Sequence, residues 1–155
     1  MLMVSKPSNL LNLVAANVLK AHTASQEELE THLGQAKDAL HDALLAETSM
    51  SGKFRNLYDA AHQFTLAAFK ISGYRAADGQ GGHRQSLFAA LEHAVPATER
   101  DKAVFEKAHR DRNNAEYQGT PVVYSGSELE ALQKAVKNLQ EEVELMFRKC
   151  KVPTS

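Results

Sequence analysis

Apolar residues recur at three- and four-residue steps along almost the whole chain, and that spacing leaves few folds open. Side chains three and four apart share one face of an α-helix, whereas a strand alternates faces at every residue. Leu10, Leu13, Val14 and Val18 fall on one stripe of a first helix expected over 9–22. Ser25 and Glu28 have the spacing of a capping box, and Leu29, Leu33, Ala36, Leu40 and Ala43 then carry a second helix to about Glu47. The run Thr48-Ser49-Met50-Ser51-Gly52 breaks it. A third helix is expected from Lys53 to Ser72, with Phe54, Leu57, Tyr58, Ala61, Thr65 and Ala68 inward and Gly73 as its terminator. Beyond the Gly79-Gln80-Gly81-Gly82-His83 loop, a short fourth helix carries Leu87, Phe88, Leu91 and Val95. Pro96 suits the first turn of a fifth helix, which ends near Tyr117. Gly119, Pro121 and Gly126 mark a loop in which Val122, Val123 and Tyr124 are briefly extended. Ser127 and Glu130 cap a last helix bearing Leu129, Leu132, Val136, Leu139, Val143 and Met146, and the tail after Cys150 reads as frayed. No stretch reads as a strand long enough for a sheet. The expectation is an all-α protein, an antiparallel up-and-down helical bundle of five to six helices, forming a single domain over 1–155.

Composition narrows the functions open to such a bundle. The net charge is −1, so phosphate binding has to come from a local cluster rather than from the field of the whole molecule. Cys150 has no second cysteine to pair with, which fits a reducing compartment. No run approaches the ~18 apolar residues of a membrane span, and Asn9, Asn12 and Asn17 interrupt the apolar content of the first twenty residues. A cytoplasmic protein with no membrane partner is expected.

The stretch "RDRNNAEYQG", residues 110–119, breaks the pattern of the fifth helix. Its inward stripe runs Phe105, Ala108, position 112 and Ala115, and position 112 is Arg112. A guanidinium on an apolar line must reach out to water or face an anion. Glu116 lies four residues on, close to the same face, so an internal Arg112–Glu116 pair is the plain structural explanation. Asn113 and Tyr117 form a neighbouring stripe. His109, one turn before Arg112, reads as a solvated histidine.

Three pieces of sequence together resemble the HEPN family of prokaryotic toxin–antitoxin and defence systems, over about Lys53 to Phe147. "YDAAHQFTLAAFKISGYRA" (58–76) is similar to its alanine-rich helix ending in Gly-Tyr, and "GGHRQSLFAAL" (81–91) to its Gly-His entry into the next helix. "RDRNNAEYQG" resembles its signature, an arginine followed after four to six residues by a histidine. The resemblance implies a metal-independent ribonuclease at a homodimer cleft, the arginine holding the scissile phosphate and the histidine moving the 2′-hydroxyl proton. Arg112 and Asn113 match the start of the signature, but Tyr117 stands where the histidine belongs. A tyrosine, with a reference pKa of about 10, is ionised in roughly one molecule in a thousand at neutral pH. His83 and His109 are the two histidines that could stand in, and His83 is preferred because it lies in the matched Gly-His segment.

Other chemistry is less well served. Asp38/His41, Asp59/His62 and Glu106/His109 are acid-x-x-His pairs, but a di-metal bundle centre needs more inward glutamates than these supply. No metal and no cofactor are expected. Arg55, Lys70, Arg75, Arg84, Arg100, Lys102, Lys107, Arg110, Arg112, Arg148, Lys149 and Lys151 interleave with acids, leaving a mixed surface and a local anion site both open. The preferred expectation is an RNA- or nucleotide-binding protein of a toxin–antitoxin system, a divergent ribonuclease at most. Arg112 would bind phosphate, Asn113 orient it, Glu116 position Arg112, and Tyr117 contact sugar or phosphate, with His83 as the further candidate. The alternative is a non-catalytic helical interaction module for a protein partner such as a nucleotidyltransferase-type antitoxin.

Overall fold

The computed structural model describes residues 7–77, 83–119 and 124–150. Six α-helices pack together among the described residues: α1 (Pro7–Ala15), α2 (Gln26–Ala43), α3 (Met50–Ile71), α4 (His83–Ala94), α5 (Lys102–Gln118) and α6 (Gly126–Lys149). A 3₁₀ turn, Pro96–Asp101, leads into α5. The all-α helical bundle expected from periodicity is therefore the observed architecture. Gly79–Gly82, Val122, Val123 and the tail after Cys150 lie outside the described residues.

α3 is the central element and touches α2, α4, α5 and α6. It buries Phe54, Leu57, Tyr58, Phe64, Thr65 and Phe69, with Ala60, Ala61, Ala67 and Ala68 between them. These small residues let neighbouring backbones approach while the aromatics fill the layers between. Its N-cap is Ser49, whose hydroxyl accepts from the Gly52 amide at 3.0 Å, so the helix starts at Met50 rather than Lys53. α2 stops at Ala43 rather than running to Glu47. The Asp42 carbonyl there accepts from the Thr48 hydroxyl at 2.7 Å and from the Leu45 amide at 3.3 Å, which turns the chain.

Two expectations are corrected at the N-terminal end. The first helix does not reach residue 22, and the chain does contain a small sheet. Asn17 adopts φ 62°, the left-handed region that asparagine tolerates better than most residues. The reversal ends α1 and sends the chain into β1 (Leu19–Ala21), which pairs antiparallel with β2 (Tyr74–Ala76) in the register Leu19↔Ala76, Lys20↔Arg75, Ala21↔Tyr74. The His22 amide donates to the Gly73 carbonyl at 2.8 Å, and the Ala77 amide to the Val18 carbonyl at 3.0 Å, extending the ribbon at both ends. Gly73, at φ 97°, allows the turn from α3 into β2.

The cap of α6 is likewise one frame earlier than expected. Ser125, not Ser127, is the N-cap, and Glu128, not Glu130, completes the capping box. In this frame Tyr124 and Leu129 take the two hydrophobic-staple positions, and both are buried. The Ser127 frame would put Gly126 and Ala131 there, with little to bury.

Candidate functional site

The site is assembled where the C-terminal half of α5 crosses α3, above a cluster of aromatic rings. Phe88 of α4 is its centre, stacked on Phe105 at 5.8 Å and edge-on to Tyr58 at 5.8 Å and to His109 at 6.2 Å. Tyr58 directs its hydroxyl at His109 Nδ1, 2.9 Å away, and Asn113 Nδ2 meets His109 Nε2 at 2.9 Å. A chain of polar contacts thus runs from α3 outward along α5. His109 is 5% exposed, which corrects the reading of it as a solvated histidine. Position 109 lies beside the apolar stripe of α5, but α3 covers that side and Tyr58 supplies the polar partner that burial requires.

Arg112 sits on the inward line, as expected, and leaves it sideways. Its guanidinium carbon lies 4.8 Å from the centroid of the Tyr58 ring, and Nη2 is 3.1 Å from Glu116 Oε1. The side chain keeps 28% of its surface exposed, so the planar cation is stacked on an aromatic face and still open to water. Glu116 is 63% exposed, which limits what the pair adds to stability. Arg112, Asn113 and Glu116 are therefore brought together with Tyr58, which the sequence did not place in the site, and with His109, which it offered only as the lesser stand-in for the missing histidine. Tyr117 is not. Five residues on from Arg112, at 100° each, it is turned about 140° around the helix, and it stands 95% exposed. His83 opens α4, and its side chain lies outside the described residues.

Several of the other cations are committed to acids. Lys107 Nζ binds Asp111 at 2.6 Å and Glu128 at 2.9 Å, and lies 4.6 Å from the centroid of the Tyr124 ring. The hydrogen bond to Asp111 first, and that to Glu128 second, hold the Lys107 ammonium well above its ordinary pKa. Burial, reinforced by Asp111, raises the Tyr124 hydroxyl in turn. Lys102 pairs with Glu92 at 2.8 Å, Lys70 with Glu28 at 2.7 Å, and Arg100 lies 3.5 Å from Asp101. No family model, curated protein or solved structure matches this chain. The quoted motifs alone carry the HEPN resemblance. Among the described residues, no three His, Cys, Asp or Glu side chains gather as metal ligands, and no helix is long and apolar enough to cross a membrane. An open hollow of about 370 Å³ between the 3₁₀ turn, α5 and α6 is lined by Arg100, Asp101, Val104, Ala131, Lys134 and Asn138, and by none of the site residues.

Proposed function

We propose that the polar end of α5 binds a phosphate-bearing ligand, RNA or a nucleotide, with Arg112 as the phosphate contact. The carrying observation is the posture of Arg112, set over the Tyr58 ring, tethered through one terminal nitrogen to Glu116, partly exposed, and with no further partner among the described residues. A guanidinium held flat in one orientation loses little freedom when an anion docks on its free edge. The Tyr58–His109–Asn113 chain supports the reading by fixing the Asn113 amide beside it. The HEPN-type sequence motifs add the toxin–antitoxin setting and a homodimer built on α5. The angular separation of Tyr117 from Arg112 favours binding over catalysis, because a tyrosine on another face does not share a proton with a ligand of Arg112.

The test is fluorescence anisotropy with labelled RNA and with nucleotides. Wild-type binding should weaken with salt, and Arg112→Ala should lose about tenfold in affinity, the worth of one charge-assisted hydrogen bond. RNA should be cleaved slowly or not at all. Sedimentation of the same samples as monomer only would remove the dimer from the proposal. A second reading, a protein-binding helical module, is favoured by the exposure of Leu44, Leu45 and Met50 around the α2–α3 turn. Unchanged RNA affinity in Arg112→Ala would move the assignment there.

A further inference from the structure

The outer face of α5 carries a second set of groups, of which the Arg112 site uses only Asn113. Arg110, Asn113, Asn114 and Tyr117 are spaced three, four and seven residues from the first, so they form one stripe. All four are exposed, Tyr117 at 95%. A tyrosine this exposed presents nearly its whole ring as a flat face to solvent. Asp111 is held by Lys107, and Glu116 by Arg112, so neither acid is drawn onto the stripe. Glu106 lies one turn earlier on the same line, but no ion pair joins it to Arg110 among the described residues. The stripe therefore offers a cation, two amides and an aromatic face along about 10 Å of helix at 1.5 Å per residue.

We infer that this stripe is a docking face for single-stranded nucleic acid, with one base stacked on Tyr117, Asn114 and Asn113 facing base edges, and Arg110 on a phosphate. The inference rests on the proposed phosphate-binding reading and extends it to the opposite side of the same helix. Charge and chemistry choose the occupant. A cation without a paired acid suits a phosphate, amides carry both donor and acceptor for base edges, and a flat ring accepts any base. Among the described residues, the stripe offers an apolar partner no side chain besides the Tyr117 ring, since its other groups are polar. A duplex hides its base faces, so the ring selects for single strands.

The experiment uses the full chain and labelled oligouridine or oligothymidine of roughly 12 nucleotides, with a duplex of the same length as competitor. Tyr117→Ala should weaken single-strand binding about tenfold, and Tyr117→Phe should restore most of the loss. Arg110→Ala should lower the slope of log affinity against log salt by about 0.7. The RNA and DNA arms report whether the 2′-hydroxyl contributes. Tyr117→Ala with full affinity, while Arg112→Ala loses it, overturns the stripe and leaves the Arg112 reading standing. Wild-type protein that binds no oligonucleotide overturns both, and preference for the duplex overturns the stripe.

Discussion

His109 has a partner on each ring nitrogen, Tyr58 on Nδ1 and Asn113 on Nε2. If the Asn113 amide donates, Nε2 accepts, the ring proton sits on Nδ1 and the Tyr58 hydroxyl oxygen receives it. One imidazole thus orients two groups of the candidate site. Arg112 was legible in the sequence because it interrupts an apolar line on its own helix. The burial of His109 was not, because it is decided by α3, and nothing within α5 announces which flank α3 will cover. A second polar cluster joins α2 to α3. Lys70 Nζ lies 2.7 Å from Glu28 and 2.8 Å from His32 Nε2, and His22 approaches the same Glu28 oxygen at 2.7 Å. Burial pushes the Glu28 carboxyl upward, but hydrogen bonds from Lys70 and His22 outweigh it and hold the group below its ordinary 4.5. A carboxylate with a depressed folded pKa adds stability that is complete above the unfolded value and is lost as pH falls through the folded one. The urea midpoint should therefore decline as pH drops below 4.5, and Lys70→Met should make that decline shallower. An identical acid limb in the variant would remove Lys70 from the account.

Each helix is long enough for its apolar spacing to show, and all six were legible for that reason. The strands were not, because three residues give too few alternations to register. Val18 even continues the helical stripe of α1, and only the backbone at Asn17 breaks it. Two overlapping Ser-x-x-Glu frames precede α6, and the choice between them was open to a reader who asked which frame buries its staple. The choice has a measurable side. Ser125→Ala should cost about 1 kcal/mol in chemical denaturation, whereas Ser127→Ala should stay within roughly 0.5 kcal/mol. Equal losses would mean that the cap is shared between the two hydroxyls, which lie 3.1 Å apart.

Across the whole molecule, α3 is the packing axis and the β1–β2 ribbon ties the chain before α2 to the chain after α3. The antiparallel α2–α3 pair brings the two strands within reach of each other. Closing that long a loop through three paired residues alone costs more entropy than so few hydrogen bonds return. The helices must meet first, and the ribbon closes only when they have delivered its ends. The expectation is a ribbon that forms after the folding barrier and is lost before it on unfolding. Leu19, 1% exposed, is its buried anchor. Leu19→Ala should destabilise the protein by about 2 kcal/mol, nearly all of it as faster unfolding, with the refolding arm of a stopped-flow denaturant plot unmoved. Slower refolding at unchanged unfolding would put the ribbon at the start of assembly instead of at its end.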